Sequence, residues 1–465
     1  MCSRSARRVE RGSGVRVSYL IRPAKKLRGR WVAAGDKSIT HRAFLFGALG
    51  EGESRVRGAN AGADCARSRA IAEAIGARIE PVAGEERTSW RLFGRGGRFR
   101  APGVTLDAGN SGTTLRLACG LLAAQDFSVT LDGDASLRRR PMARVQAPLA
   151  ALGAALTLSP EGTAPLTLRG APLKGCVWTS PVASAQVKSA FLLAALQATG
   201  PSTYREPQLS RDHSERLLAR MGARLGRDGE GVLHLAGPQS LRCVDLRVPG
   251  DLSSAAFLIA AALLVEGGSV LVKNLGVNPT RTGFLDVLQR MGARFALYHP
   301  REEGGEPVAD LLAQHSSLRA TEIQPEELPR LIDEIPLLAV LAARATGESR
   351  LRGLAELRVK ESDRLAATAA LLTAFGASAR VEGDDLVVAG GGALRGAEID
   401  SGGDHRLAMA AAVLGLVSRG ESRVRDTACV ATSFPEFPGL LRRFSDGALS
   451  REQDEPEADA DEAAC

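Results

Sequence analysis

The chain has 465 residues, of which 44% are hydrophobic, 4% aromatic and 24% charged, a composition typical of globular proteins. It excludes a collagen or a disordered chain, and the longest apolar runs, such as residues 255–265, are too short to span a membrane. At about 100–200 residues per domain, the length predicts two to four domains. The formal net charge is +7, and since the last fifteen residues carry seven acids and one arginine, the remainder carries +13.

This basic remainder points to small anionic ligands rather than to nucleic acid. With three Trp, three Tyr and no long Lys/Arg run, the chain lacks the basic stripe and stacking platforms of nucleic-acid binders. Its seven cysteines are scattered, without a CxxC pair or a histidine cluster. We therefore expect a reduced, cytoplasmic protein without metal, cofactor, nucleic-acid or membrane partner.

The two ends differ from the rest of the chain. The start is basic and has no apolar segment, so it is not a secretory signal; we expect residues 1–14 to be disordered. Its Arg and Ser content also resembles a short transit peptide, although a frayed terminus is the favoured interpretation. The acidic stretch 446–465 is predicted to be a disordered tail.

Between the ends, amphipathic segments that end in Gly-Ala or a close variant recur along the chain. Each predicts a helix that is closed by a glycine in the left-handed conformation and followed by a strand. The glycines are Gly76, Gly153, Gly222, Gly292, Gly376 and Gly447.

A second series of helices, rich in Ala and Leu, alternates with the first. These helices are apolar nearly all round and are therefore predicted to be buried, and each opens with polar capping residues. They begin near Ser38, Ser111, Ser184, Ser253, Asp333 and Asp404. Six units of about 70–80 residues follow from the two series. Because helix N-termini attract anions, six that point to one space would form an anion site.

In the first half, the motif GDKSITHR places Lys37, Ser38 and Arg42 at the start of a buried helix, where they suit a phosphate or carboxylate. The motif DAGNSGTTLR places Asn110 and Gly112 where the backbone can approach a ligand, although alone it is no better than a turn.

Three further motifs of the first half carry candidate residues. LRRRPMAR contains Arg140, which can equally belong to a solvated basic loop. ASAQVKSA supplies Ser184 and Gln186, with Lys188 a turn further in. SRDHSER contains Arg211, a type of charge that is more often part of a helix cap.

In the second half, carboxylates and cations alternate. Asp333 lies at the mouth of a buried helix, where the helix dipole would keep it ionised, as a base requires. RVKESDRL carries Lys360, Glu361 and Arg364; Glu361 can shuttle a proton or form a structural i,i+3 ion pair with Arg364. GGDHRLAM adds Arg406 beside a histidine that stands at no metal-ligand spacing.

No segment matches a P-loop, a dinucleotide fingerprint or a nucleophile elbow. The inventory therefore favours general acid–base chemistry on anionic substrates. Taken together, GDKSITHR, GNSGTTLR, RRRPM, SAQVKSA, NPTRTG, RVKESDRL, GDHRLAM and ATSFPEF resemble the 5-enolpyruvylshikimate-3-phosphate synthase family, in the bacterial subgroup called class II. The match runs in order from about residue 35 to residue 437.

The resemblance implies an α/β fold of two domains, an inside-out α/β barrel of the enolpyruvyl transferase type with six βαβαββ repeats. One domain would comprise residues 15–34 plus 249–445, and the other residues 35–248. The two would close on their substrates, and a monomer is the family default. The implied reaction joins shikimate 3-phosphate to phosphoenolpyruvate and releases phosphate.

The resemblance also implies residue roles. The residues expected to hold shikimate 3-phosphate are Lys37, Ser38, Arg42, Ser184, Ala185, Gln186, Arg211, Asp333 and Lys360. Those expected to hold phosphoenolpyruvate are Lys37, Asn110, Gly112, Arg140, Gln186, Arg364 and Arg406. Asp333 would be the base for the hydroxyl, and Glu361, helped by Lys37, the proton donor at C3.

Two positions depart from the family pattern. Thr432 stands where many members carry a Lys, so one phosphate contact is missing or is supplied elsewhere. Gly112 stands where herbicide-insensitive members of the subgroup carry Ala, which predicts appreciable inhibition by glyphosate.

Two alternatives remain open at this point. The enolpyruvyl transferase that acts on UDP-N-acetylglucosamine shares the fold but carries a catalytic-loop Cys, whereas Cys119 lies within an apolar helix. The second alternative is a non-catalytic module that kept the fold and binds anions or nucleic acid.

Overall fold

The computed structural model describes residues 17–84 and 88–453. In these ranges the helices are α1 (Lys37–Leu49), α2 (Ala63–Ala74), α3 (Gly112–Leu122), α4 (Ala143–Ala151), α5 (Ala185–Ala195), α6 (His213–Arg220), α7 (Leu252–Leu264), α8 (Gly283–Arg290), α9 (Ile335–Arg344), α10 (Arg364–Ala374), α11 (His405–Gly415) and α12 (Phe437–Phe444). The strands are β1 (Val17–Ile21), β2 (Arg28–Val32), β3 (Glu51–Arg57), β4 (Arg78–Pro81), β5 (Trp90–Arg95), β6 (Leu106–Asp107), β7 (Ser128–Asp132), β8 (Ala155–Thr157), β9 (Leu166–Arg169), β10 (Val177–Thr179), β11 (Gly200–Arg205), β12 (Leu225–Arg227), β13 (Leu233–Gly237), β14 (Leu246–Arg247), β15 (Ser269–Gly276), β16 (Arg294–Glu303), β17 (Glu306–Gln314), β18 (Glu322–Ile323), β19 (Glu348–Leu351), β20 (Ser378–Glu382), β21 (Asp385–Ala389), β22 (Glu398–Asp400), β23 (Ser422–Arg425) and β24 (Leu449–Gln453).

The described strands form six four-stranded sheets with one common topology. In the sheet ordered β6-β7-β9-β8, the first pair is parallel and the other two are antiparallel, so the path β6-α3-β7-α4-β8-β9 is one βαβαββ unit. The other sheets are β14-β3-β5-β4, β10-β11-β13-β12, β16-β17-β15-β2, β18-β19-β21-β20 and β22-β23-β1-β24. The six predicted repeats are confirmed, with β1, β2 and β14 joining sheets formed mainly by distant parts of the chain.

The helices of the first series end at the predicted glycines. Helices α2, α4, α6, α8, α10 and α12 are each followed by a glycine whose φ lies between +79° and +110°. A side chain is strained in this conformation, whereas glycine adopts it freely, which gives these residues their local function. In every unit the chain then turns into a strand of the sheet.

Buried apolar side chains form two separate cores. One contains residues from Tyr19–Ala33 together with residues from Leu252–Leu449, and the other contains residues from Ile39–Val248. Helices α7, α9 and α11 belong to the first core, and α1, α3 and α5 to the second. All thirteen residues of α7 are buried, as its uniformly apolar sequence predicts.

Two helices of the buried series begin close to the serines that marked their predicted starts. Helix α1 is capped by Asp36, two residues before Ser38, and α7 is capped by Asp251, two residues before Ser253. In both cases the aspartate carboxylate accepts N–H groups of the first turn, so the cap is complete before the serine is reached.

The prediction of a disordered tail from residue 446 is wrong for its first part. Strand β24 pairs antiparallel with β1, and its Leu449 is buried in the core. Arg423 also pairs with Glu452 at 2.9 Å. The hydrophobic anchor and the free edge of β1 explain the order of this segment. The rest of the tail, residues 454–465, and the predicted disordered start, residues 1–14, lie outside the described residues.

Candidate active site

A cavity of about 360 Å³ lies between the two cores. The N-terminal ends of all six buried helices reach its wall. The residues that mark these ends are Lys37 (α1), Thr113 (α3), Gln186 (α5), Ser253 (α7), Asp333 (before α9) and Arg406 (α11). The six ends thus share one space, which is the condition under which they would form an anion site. Their free N–H groups and partial positive charge favour anionic ligands.

Most of the predicted site residues line this cavity. These are Lys37, Ser38, Arg140, Ser184, Ala185, Gln186, Arg211, Asp333, Lys360, Glu361, Arg364 and Arg406. Arg42, Asn110 and Gly112 lie behind the wall, where they contact residues that do line it.

Arg42 supports the wall from inside the core. Its guanidinium is buried, and it donates to Ser214 Oγ at 2.8 Å, to Ser189 Oγ at 2.9 Å and to the carbonyl oxygen of Ser38 at 2.8 Å. Burial, only partly offset by nearby carboxylates such as Glu215, lowers the pKa of Arg42 to about 10. The sequence correctly predicted that Arg42 lies on the same helix face as Ser38, but it did not predict that the Arg42 side chain is buried behind the cavity wall.

The glycine-containing loop before α3 supports Arg140. Asn110 Oδ1 accepts a hydrogen bond from Arg140 Nη2 at 2.7 Å, while Asn110 Nδ2 donates to Asp134 at 2.9 Å. A Cβ at Gly112 would lie 2.9 Å from Arg116 Nη1 and 3.4 Å from Arg140 Nη1. A side chain at this position would therefore press on two cationic groups of the cavity.

Arg116 is a cavity residue that sequence reasoning missed. Its Nη1 donates to Gln186 Oε1 at 2.5 Å, and its Nη2 donates to the carbonyl oxygen of Pro141 at 3.0 Å. Burial and the positive charges of Arg144 and Arg140 lower its pKa to about 10. Arg116 thus orients Gln186 and the segment after Arg140. Its position one helical turn after Gly112, in the same motif, could have indicated that it faces the same cavity.

Lys37 is held at the cavity by a carboxylate of its own half of the chain. Its Nζ lies 2.5 Å from Asp64 Oδ2. Burial alone would lower the pKa of Lys37, but the Asp64 carboxylate outweighs it and the net shift is upward. Lys37 therefore carries a positive charge into the cavity at neutral pH.

Ion pairs join the two halves across the cavity. Arg211 contacts Asp333, Arg140 Nη1 lies 3.4 Å from Glu361 Oε1, and Arg144 Nη1 lies 3.0 Å from Glu356 Oε1. In each pair the arginine comes from the half with the Ile39–Val248 core, and the carboxylate comes from the other half. The two walls are thus in contact in this structure.

Asp333 is surrounded by cations from both halves. Besides Arg211, Arg406 Nη2 lies 3.7 Å and Arg364 Nη1 lies 3.8 Å from its carboxylate. Burial raises the pKa of Asp333, but Arg406, Arg211, Lys360 and nearby charges outweigh it and hold the pKa well below its ordinary value. Asp333 is ionised and can accept a proton.

Glu361 is ionised for the same reason. Arg364 Nη2 lies 2.7 Å from its carboxylate, opposite the Arg140 contact. Burial raises the pKa of Glu361, but the positive charges around it, chiefly those of Arg364 and Arg140, hold the pKa well below its ordinary value. Nearby His405 is neutral, since burial and the charge of Lys37 lower its pKa to about 3. The residue predicted to donate a proton therefore carries none in this state.

Several other polar residues of the cavity were not predicted. They include Asp36, Arg144, Ser210, Asp251, Ser253, Ser254, Arg281, Glu356 and Ser433. Two of them, Asp36 and Asp251, could have been found from the sequence. A Gly-Asp pair occurs before α1, α7 and α11, and in each case the aspartate caps the helix. Thr432 does not line the cavity, and its hydroxyl donates to the carbonyl oxygen of Cys429 at 2.7 Å.

Within residues 17–84 and 88–453, no three His, Cys, Asp or Glu side chains are grouped as metal ligands would be. In the same described part of the chain, no helix is both long and apolar enough to cross a bilayer.

Comparison with known proteins shows the family to which the chain belongs. A model of the family described as EPSP synthase (3-phosphoshikimate 1-carboxyvinyltransferase) matches residues 21–441. A protein of Acidiphilium cryptum with the latter name is 49% identical over 429 residues, 90% of this chain and 95% of that protein. One of Brevibacillus brevis is 45% identical over 91% of this chain and 99% of that protein.

Solved structures show the same relationship. An EPSP synthase of Acinetobacter baumannii is 38% identical, with a TM-score of 0.83 over 94% of this chain and all of that one. The enolpyruvyl transferase NikO of Streptomyces tendae is 18% identical, with a TM-score of 0.77 over 95% of this chain and 100% of that one, which shows a shared fold alone.

Proposed function

Because this chain belongs to the EPSP synthase family, we propose that its cavity holds shikimate 3-phosphate and phosphoenolpyruvate side by side. As a member of that family, the enzyme transfers the enolpyruvyl group of phosphoenolpyruvate to the 5-hydroxyl of shikimate 3-phosphate and releases phosphate, a step of aromatic amino-acid biosynthesis. The assignment of residues to the two substrates is our proposal. The observation that supports it is the convergence of six helix ends, a set of Lys and Arg side chains and two ionised carboxylates on one cavity.

Shikimate 3-phosphate is assigned mainly to the wall formed by α1, α5 and the segment before α6. Its proposed contacts are Lys37, Ser38, Ser184, Ala185, Gln186, Arg211, Asp333 and Lys360. Arg42 supports this subsite through its bond to the Ser38 carbonyl. Helix ends and charged side chains together suit a ligand that carries both a phosphate and a carboxylate.

Phosphoenolpyruvate is assigned to the space between the walls. Its proposed contacts are Lys37, Arg140, Gln186, Arg364 and Arg406. Asn110 acts through Arg140, to which it is hydrogen-bonded, and Gly112 acts by leaving room beside Arg116 and Arg140. Fork-shaped guanidinium groups on both sides match the phosphate and the carboxylate of this substrate.

In the proposed mechanism, ionised Asp333 takes the proton of the 5-hydroxyl as its oxygen adds to C2, and Glu361, helped by Lys37, protonates C3. The tetrahedral intermediate then loses phosphate, and the Glu361 carboxylate left by the first step takes a proton from C3. Glu361 must first gain a proton. Anionic groups of phosphoenolpyruvate on Arg140 and Arg364 would offset the charges that hold its pKa down, so substrate binding prepares the donor.

We also propose that residues 17–34 plus 249–453, a range that includes β24, and residues 35–248 move as two bodies that close on the substrates, and that the enzyme is a cytoplasmic monomer. A smaller radius of gyration in small-angle scattering on addition of both substrates would support closure, and an unchanged one would contradict it. Light scattering gives the oligomeric state.

The direct test of the reaction is phosphate release from phosphoenolpyruvate with shikimate 3-phosphate present, absent, or replaced by UDP-N-acetylglucosamine. We expect release only in the first case. Release with the sugar nucleotide would assign the chain to the sister enzyme, and no release from folded protein would favour a binding module. Cys119 argues against the sister enzyme, because it is fully buried in α3 and burial raises its pKa to about 12.

A further inference from the structure

Lys188 is a fully buried lysine with no part in the mechanism above. It lies in α5 with its side chain completely inaccessible to solvent. Its Nζ lies 2.9 Å from Glu215 Oε1, 3.0 Å from Glu206 Oε1 and 3.1 Å from the carbonyl oxygen of Ser210. The ammonium group donates hydrogen bonds to Glu206 and to the Ser210 carbonyl, and it forms an ion pair with Glu215.

A second cation completes the cluster from its outer side. Arg227 Nη2 lies 3.1 Å from Glu206 Oε1 and 2.8 Å from Glu215 Oε1. The cluster thus contains two cations and two carboxylates. Because charges are costly to bury, such a group adds little net stability over apolar packing and is more informative about which parts of the chain it joins.

The cluster joins two parts of the cavity wall. Glu206 and Glu215 flank the segment that carries Ser210 and Arg211, both of which line the cavity. Ser210 is held twice, since its carbonyl accepts from Lys188 and its hydroxyl donates to Glu206 Oε2 at 2.6 Å. One turn earlier on α5, the Ser184 carbonyl accepts from Lys188 N at 2.9 Å, and Ser184 also lines the cavity.

We propose that Lys188 is a positioning residue that holds the Ser210–Arg211 edge at a fixed place relative to the first turn of α5, and thereby sets the affinity for shikimate 3-phosphate. This inference depends on the proposed function, which assigns that wall to shikimate 3-phosphate. Lys188 acts through the Ser210 backbone and touches no substrate itself.

The test compares two variants that each remove one cation from the same cluster. Lys188→Met removes the bond to Ser210, whereas Arg227→Met leaves that bond in place. We expect Lys188→Met to raise the KM for shikimate 3-phosphate roughly tenfold or more, with a much smaller change in kcat and in the KM for phosphoenolpyruvate. Arg227→Met is expected to change the KM for shikimate 3-phosphate by less than about twofold.

The charge-balanced double variant Lys188→Met/Glu206→Gln covers the case in which the single variant does not fold. It restores neutrality without restoring the bond to Ser210, so we expect thermal stability to recover while the KM stays raised. Recovery of both, an unchanged KM in Lys188→Met, or equal KM increases in both single variants would overturn the proposal.

Arg211→Met separates this inference from the function on which it depends. If Arg211→Met leaves the KM for shikimate 3-phosphate unchanged, the assignment of the wall is wrong. If Arg211→Met raises that KM and Lys188→Met does not, only the role of Lys188 is wrong.

Discussion

The carboxylates in the two halves of the molecule are neutralised in different ways. In the half formed by residues 35–248, Asp64 and Glu206 do not line the cavity, and they bind Lys37 and Lys188 of the same half. In the other half, Asp333 and Glu361 line the cavity and bind arginines from both halves. The first two carboxylates are therefore neutralised within their half, whereas the second two are neutralised in part by contact between the halves.

This difference separates binding from acid–base chemistry. The half formed by residues 35–248 can present cations to an anion whether or not the halves touch. The pKa values of Asp333 and Glu361, by contrast, depend on Arg211 and Arg140 of the other half. The same repeat thus forms a surface whose cations have local partners in one half, and a pair of carboxylates whose pKa values depend on both halves in the other.

The largest effect is expected from removing the proposed base. Asp333→Asn keeps the shape but cannot accept the proton, so kcat should fall about 10³-fold while calorimetry still detects binding of shikimate 3-phosphate. Glu356→Gln is the matched control, since Glu356 also pairs across the cavity but has no proposed proton transfer. We expect it to lower kcat less than about tenfold. An Asp333→Asn enzyme with a tenth of normal activity would contradict the assignment.

Arg140→Met removes a cation that contacts Glu361 and is proposed to bind phosphoenolpyruvate. We expect the KM for phosphoenolpyruvate to rise roughly 10- to 100-fold, because a buried guanidinium partner of the anion is lost. Arg139→Met, at an exposed neighbouring position, is expected to change it less than about twofold. If steady-state assays showed equal effects of the two variants, Arg139 and Arg140 would act only through their positive charge, and the specific contact of Arg140 would be contradicted.

Gly112→Ala tests the space beside the phosphoenolpyruvate subsite. The added methyl would lie 2.9 Å from Arg116 Nη1, so this group must move, and Gln186 is hydrogen-bonded to it. We expect appreciable glyphosate inhibition of the natural enzyme and, in the variant, an inhibitory concentration about tenfold higher or more. The KM for phosphoenolpyruvate in the same samples measures the cost to the substrate. Unchanged inhibition would refute the steric argument.

The smallest effect concerns acid stability. A carboxylate with a lowered pKa in the folded state stabilises it above the unfolded-state pKa of about 4, and that contribution is lost as pH falls through the folded-state value. In Arg211→Met the pKa of Asp333 should rise towards its ordinary value, so less stability is lost as pH falls below about 4. Denaturant unfolding of both proteins should show a difference of about 1 kcal/mol in this loss. An identical loss would mean that Arg211 does not control Asp333.

Local rules explain the parts of the site that could be predicted. Polar clusters before apolar segments identified the ends of the buried helices, whereas the meeting of those ends in one space is seen only in the structure. The same rules placed the starts of two helices near Ser38 and Ser253, and the caps are Asp36 and Asp251, two residues earlier. Capping propensity ranks Ser and Asp about equally, so the start of such a helix is uncertain by a residue or two.

How deeply a side chain is buried could not be predicted from the sequence. Arg42 and Arg140 both follow from basic motifs, yet Arg42 lies behind the wall and Arg140 lines it. Helical spacing gives the face of a side chain but not what packs over it. Similarly, the acidic composition after residue 446 concealed β24, which forms because β1, more than four hundred residues away, offers it a free edge.

The sequence by itself determined the six repeats, the glycine-terminated helices, the buried helices and the types of residue at the active site, because capping, periodicity and conformational preference act over a few neighbouring residues. Local spacing also offered the i,i+3 pair of Glu361 with Arg364, which the structure contains. Only the tertiary structure decided which other arginines meet Asp333 and Glu361, and therefore how far the pKa values of these two carboxylates are lowered. Those pKa values are set by charges within a few ångströms in space, and the contributing residues lie up to more than two hundred positions apart in the chain.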